Sequence, residues 1–109
     1  MATSYKVLGQ VNPAATTATT AYTVPAATEA IVSSIVVANQ AATAGTYRVA
    51  VRPDGDTLAA EHYLAYDISL PANTSDTLTL GVTMDATDVI TVYASSTDFS
   101  FNIFGSEIA

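Results

Sequence analysis

The sequence predicts an all-β chain, an antiparallel β-sandwich or jelly-roll-like barrel of about eight strands, folded as a single domain over residues 1–109. Three observations carry the prediction. β-Branched and aromatic residues alternate with polar ones at a period of two, in runs of strand length. Pro, Gly, Asn and Asp punctuate the chain between those runs. No segment holds the 3.6-residue apolar period of a helix of useful length. A chain of 109 residues can also bury a core of its own.

Ser4 to Val11 alternates Tyr5 and Val7 with Lys6 and Leu8 and reads as the first strand, with Gly9 as a bulge position. Asn12-Pro13 is a turn. Ala14 to Thr20 (A-A-T-T-A-T-T) is low in complexity and reads as a loop or an edge strand, after which Tyr22 and Val24 share a face. Pro25 to Thr28 turns the chain. Glu29 to Gln40 is the strongest strand. Ile31, Ser33, Ile35 and Val37 share one face, and Val32, Ser34, Val36 and Ala38 the other. Both faces are apolar, so a second sheet or a neighbouring subunit is expected to cover the outer one. Ala41 to Gly45 is then the loop of a hairpin running from Ala30 to Arg52, on which the other strands pair or stack. Strands adjacent in sequence are expected to pair antiparallel.

In the second arm of that hairpin Tyr47, Val49 and Val51 point inward, and Arg48, Ala50 and Arg52 outward. Pro53-Asp54-Gly55-Asp56 is a turn, since Pro presets φ and Gly accepts a positive one. Thr57 to Glu61 allows one short helical turn. His62 to Leu70 sets a core face of Leu64, Tyr66, Ile68 and Leu70 against Tyr63, Ala65, Asp67 and Ser69. Pro71 to Ser75 is a loop. Asp76 to Met84 turns Leu78, Leu80, Val82 and Met84 to one face and Thr77, Thr79, Gly81 and Thr83 to the other. Asp85 to Asp88 is a turn. Val89 to Ser95 and Phe99 to Ile103 complete the strands, with a phase change at Phe104-Gly105 before a packed Ile108.

Charged residues make up 12% of the chain, about half the usual share, which points to a surface that meets another subunit or a large assembly. An Ala/Thr-rich sheet, kept soluble by hydroxyls, is the plainer alternative. The net charge is −7 with three basic side chains, Lys6, Arg48 and Arg52. Nucleic-acid binding and polybasic membrane contact both need more cations than that. No cysteine is present, so the fold needs no disulfide and thiolate metal sites are excluded. No apolar run reaches the length of a membrane-spanning helix, and the first residues lack the apolar stretch of a secretory signal.

Residue types that carry catalysis are sparse. His62 is the one histidine, so a Ser–His–Asp triad would have to use it. Glu61 beside it falls on the opposite face of a strand, which leaves a surface or interface histidine and no catalytic assignment. Asp54 with Asp56, and Asp85 with Asp88, read as turn caps, with a weak ion site as the alternative. No metal, cofactor or catalytic residue is assigned. The tyrosines (Tyr5, Tyr22, Tyr47, Tyr63, Tyr66 and Tyr93) allow sugar stacking, but core or interface packing explains them as well. Tyr63 is the one expected to be most exposed. Asn73-Thr74-Ser75 matches a glycosylation acceptor and reads as a plain turn.

Several segments carry a resemblance. They are Tyr5-Lys6-Val7-Leu8-Gly9-Gln10; Tyr22-Thr23-Val24-Pro25-Ala26 with Ile31-Val32-Ser33-Ser34-Ile35-Val36-Val37-Ala38-Asn39; Tyr47-Arg48-Val49-Ala50-Val51-Arg52-Pro53; His62-Tyr63-Leu64-Ala65-Tyr66-Asp67; and Phe104-Gly105-Ser106-Glu107-Ile108. Together they resemble a family of small β-rich virion structural proteins of tailed bacteriophages. The resemblance implies a structural role on head, neck, tail or fibre, and brings no catalytic residues. Its most specific form is a capsid decoration, or cement, protein assembled in the host bacterial cytoplasm and resident in the virion. Its partners would be the major capsid protein or other virion proteins. Symmetric lattice sites favour a homo-oligomer, taken as a trimer. Candidate interface residues are Lys6, Arg48, Arg52, Tyr63 and Ile108. A carbohydrate-binding receptor module using Tyr63 and the loops is the alternative from another class.

Overall fold

In a computed structural model, which describes residues 2–109, the chain forms eight strands. They are β1 (Thr3–Val11), β2 (Thr19–Thr23), β3 (Glu29–Asn39), β4 (Gly45–Arg52), β5 (Tyr63–Leu70), β6 (Thr74–Met84), β7 (Val89–Ala94) and β8 (Phe99–Ile108). Two single turns of 3₁₀ helix, Pro53–Gly55 and Ala60–His62, lie between β4 and β5. Two four-stranded antiparallel sheets result, ordered β1-β8-β3-β6 and β2-β7-β4-β5. Four pairs, β1–β8, β2–β7, β3–β6 and β4–β5, match each outgoing strand with a returning one. The chain is thus one long hairpin bent at the β4–β5 connection. It is rolled so that β8 also meets β3 and β7 also meets β4. That is the eight-stranded jelly roll, a sandwich of two antiparallel sheets, in agreement with the architecture that the sequence predicts.

The Ala30–Arg52 hairpin is not formed. β3 and β4 lie in different sheets, because β3 has both edges taken by β6 and β8. The loop after β3 instead carries the chain across the roughly 10 Å between layers. Asn39, 2% exposed, shapes that crossing. Its amide donates to Thr43 O at 3.0 Å and Leu70 O at 3.1 Å, and its Oδ1 accepts from Ala41 N at 3.0 Å. Of strands adjacent in sequence, only β4 and β5 pair.

The core lies between the sheets. Ile35, Val37, Phe99, Phe101 and Ile103 face Tyr47, Val49, Leu70, Ile90 and Val92, all essentially without solvent contact. Tyr47 packs edge-on against Phe101, with centroids 6.2 Å apart, and its hydroxyl reaches Asp76 at 3.0 Å. Burial of the hydroxyl and the neighbouring carboxylate push the Tyr47 pKa up to about 12.

Bulges decide which side chains reach this core. The phase change expected at Phe104-Gly105 falls on its two neighbours. β1 skips Leu8 between Val7 and Gly9, and β3 skips Ser33 between Val32 and Ser34. The β3 bulge turns Val32 inward with Ile35 and Val37 and turns Ile31 outward. The apolar residues of β3 therefore do not divide into the two strict faces of its sequence pattern. Gly105 fits because a Cβ there would run into the Ile31 carbonyl.

Candidate functional site

Each sheet presents one outer face, and the two faces differ in chemistry. On the second sheet β4 and β5 pair through a bulge. Tyr47 opposes Ile68 and Val49 opposes Ala65, so Tyr66 and Asp67 together oppose Arg48. Asp67 adopts a φ of 51°, the left-handed region that a non-glycine residue enters at a cost. The bulge delivers two consecutive side chains to one guanidinium. Arg48 donates from Nε to Asp67 Oδ1 at 2.6 Å and from Nη2 to Oδ2 at 3.3 Å. Its Cζ lies 4.2 Å from the centre of the Tyr66 ring and 4.1 Å from that of Tyr93, a cation–π sandwich. The hydrogen bond to Asp67 raises the Arg48 pKa further above its already high value. The bulge also overturns part of the predicted core face of β5. Leu70 is buried, but Leu64 and Tyr66 are exposed. Ile68, which opposes the buried Tyr47, keeps the core side and is 39% exposed because β5 is an edge strand.

The β4–β5 connection folds over this same face and covers Ala50, which strict alternation places outside. Arg52 ties the connection down. Nε donates to Thr91 Oγ1 at 2.9 Å, and Nη1 donates to Gly55 O at 3.1 Å and Asp56 O at 2.9 Å. His62 is buried rather than at the surface, because Nδ1 accepts the Ala59 N–H at 3.0 Å and closes the second 3₁₀ turn. Between connection and sheet lies a groove of about 550 Å³ lined by Leu58, Ala59, Ala60, Tyr63 and Tyr66. The two tyrosine rings meet at 87° with centroids 4.8 Å apart. Tyr63 is half-buried, and Tyr66 is the more exposed of the pair.

The first sheet's outer face is of another kind. Pairing places Tyr5, Val7 and Gln10 of β1, Asn102, Phe104 and Ser106 of β8, Ile31, Ser34 and Val36 of β3, and Thr77, Thr79 and Thr83 of β6 on it. Among the described residues, Glu29 at the start of β3 is the only charged side chain that strand pairing places on this face, and Lys6, paired to Glu107, lines the edge of its depression. Toward its β1 edge are exposed apolar groups: Tyr5 at 86%, Val7 at 48% and Ile31 at 39%, with Phe104 half-buried between them. They border a shallow depression of about 510 Å³. In a chain of net charge −7, a sheet face this neutral is unusual.

The five predicted interface residues do not form one site. Arg48, Arg52 and Tyr63 lie on the second sheet, and Lys6 and Ile108 at one end of the first. Lys6 turns toward the other layer, where its Nζ meets Glu107 Oε1 at 2.5 Å. Glu107 Oε2 accepts from the Tyr22 hydroxyl at 2.6 Å. The hydrogen bonds from Lys6 and Tyr22 hold the Glu107 carboxyl below its ordinary range, while burial and the Glu107 carboxylate raise the Tyr22 hydroxyl above its own. All three basic side chains thus have partners within the chain. The Arg48–Asp67 pair is the cross-sheet bond that competes with a docking role for that arginine.

Sequence reasoning did not single out Val7, Ile31 and Phe104 as surface residues; the β3 bulge sets the direction of Ile31, and alternation with Tyr5 and Ile103 sets those of Val7 and Phe104. The signal that could have found the neutral face was the run of uncharged alternate positions along β1, β3, β6 and β8. The acidic turns behave as predicted. Asp88 accepts from Asp54 N at 2.9 Å and Asp85 N at 2.8 Å, Asp85 from Ala86 N at 2.8 Å, and Asp56 from Thr57 N at 3.0 Å. Among the described residues no group of three or more His, Asp or Glu side chains is arranged to hold a metal ion. Among the described residues no helix is long and apolar enough to cross a membrane. No family model, curated protein or solved structure matches the chain.

Proposed function

We propose that this chain is a structural protein of a tailed-bacteriophage virion, and most specifically a capsid decoration protein that docks on the major capsid protein and stabilises the shell. Jelly rolls serve in viral capsid and lectin domains alike, so the fold alone does not select the role. The observation that carries the reading is the sparsely charged first-sheet face, with Tyr5, Val7, Ile31 and Phe104 on its β1–β8–β3 side. A monomer that stays free in solution gains nothing from a sparsely charged, aromatic-bearing sheet surface. In a chain carrying −7, a face with so few charges is where another acidic body meets little repulsion.

Scale supports the same reading. Four strands at a spacing of about 4.8 Å and about nine residues at a rise of about 3.3 Å give a face of roughly 600 Å². Docking would bury roughly 1,200 Å² in total, at the small end of specific interfaces. One such contact is weak. Many identical copies on a repetitive shell hold through multivalency, most of all if the copies join as a homo-oligomer.

Quantitative mass spectrometry of purified particles of the encoding phage tests the proposal. Decoration predicts this chain at a copy number comparable to that of the major capsid protein. A copy number far below the capsid protein's would move it to neck, tail or fibre, and absence from the particle would end the virion reading.

A further inference from the structure

We propose that the groove beside Tyr63 and Tyr66 binds a neutral hexose unit of a saccharide. The inference does not rest on the virion reading, because the groove lies on the second sheet, on the opposite side of the sandwich from the neutral face.

The site is built around one rigidly held ring. Asp67 holds a positive φ within a strand so that it and Tyr66 both reach Arg48. None of this serves the core: Tyr66 is 55% exposed and the Asp67 side chain 44%. The strain goes into fixing an exposed ring. Arg48 clamps Tyr66 on one side and Tyr93 on the other, and Tyr63 braces Tyr66 at a right angle. Aromatic surface held rigid before a ligand arrives loses little entropy on binding.

A groove of about 550 Å³ is within the usual size of small-ligand sites. Its walls are two tyrosine rings with Leu58, Ala59 and Ala60, which suit the C–H face of a pyranose. The two lining tyrosines each carry a phenol hydroxyl that can donate to or accept from a sugar hydroxyl, and Asp67, next in sequence to Tyr66, receives only a 3.3 Å bond at Oδ2 from Arg48. Charge selects a neutral sugar. Arg48 is already neutralised by Asp67, Glu61 stands in the adjoining turn, and the chain carries −7, so a phosphate or uronate would meet repulsion. A proline-rich peptide suits the aromatic walls but lacks the N–H donors that an exposed carboxylate takes.

The experiment is a titration of the isotope-labelled full chain, followed by amide NMR shifts. The probes are glucose, galactose, mannose and N-acetylglucosamine, with a polyproline peptide as comparator. At least one sugar should shift the amides of residues 58–67 in a saturable way. Tyr66→Ala should weaken that binding about tenfold or more, and Tyr66→Phe, which keeps the ring, should retain most of it. Tyr5→Ser, on the other sheet, should leave it unchanged. The native chain decides even if Tyr66→Ala fails to fold. No saturable shift with any of the sugars, shifts centred elsewhere, or a groove that takes the peptide and no sugar would each overturn the proposal.

Discussion

The carboxyl of Glu107 illustrates how single polar groups hold this fold together. It joins Lys6 on β1 to Tyr22 on the other sheet, so one side chain links an edge strand and both layers. Its folded pKa is depressed, so its contribution to stability is complete above the unfolded value near ~4.3 and is lost as pH falls through the folded one. Urea melts of Glu107→Gln should show a loss of about 1 kcal/mol at pH 7 and a flatter decline than the native chain on acidification. An unchanged acid profile would contradict the role. Tyr47 works with the opposite sign. Its folded pKa is raised to about 12, so its contribution is complete below ~10 and is lost as pH rises toward that value. Tyr47→Phe keeps the ring and loses the bond to Asp76. It should cost about 1–2 kcal/mol at neutral pH and remove part of the alkaline destabilisation, as followed by circular dichroism between about pH 9 and 12.

At the scale of strands, existence is legible in the sequence and direction is not. Period two marks β3, β4, β6 and β7 because a half-buried sheet needs it. The inward residues of β6 follow the predicted pattern throughout. β5 and the first half of β3 do not, since a bulge adds one residue and inverts every side chain beyond it. Alternation in β5 places Tyr66 in the core, whereas the bulge places it on the surface beside Arg48. The local signal for that bulge is weak, because Asp67, which holds a positive φ, tolerates that region less readily than glycine and is common elsewhere in strands and turns. Glycine is more informative at Gly45, at the start of β4. A Cβ there would come within 2.7 Å of the Phe99 ring and 2.9 Å of Ser95 Oγ. Phe99 is fully buried and cannot yield. Gly45→Ala should therefore cost about 1–3 kcal/mol in thermal or chemical melts despite the small added volume, and a neutral result would mean that β4 can shift at its start.

On the scale of the whole molecule, the fold class is legible and the wiring is not. Alternation tells which face of a strand is dry and is silent about which edge meets which. β3 and β4 therefore read as a hairpin, although rolling the long hairpin places them in opposite sheets. The same rolling separates the predicted interface residues, sending Arg48, Arg52 and Tyr63 to one side of the sandwich and leaving Lys6 and Ile108 at the end of the other sheet. It also gathers uncharged positions from β1, β3, β6 and β8, scattered along the sequence, into one neutral face. The functional account turns on that face. The measurement that tests it most directly is a cryo-EM map of the intact particle at side-chain resolution. The account predicts this jelly roll on the outside of the shell, with Tyr5, Val7, Ile31 and Phe104 against the major capsid protein and the Tyr63–Tyr66 groove facing solvent. A shell on which the chain is bound through the second sheet, with Tyr5 and Val7 left in water, would contradict it.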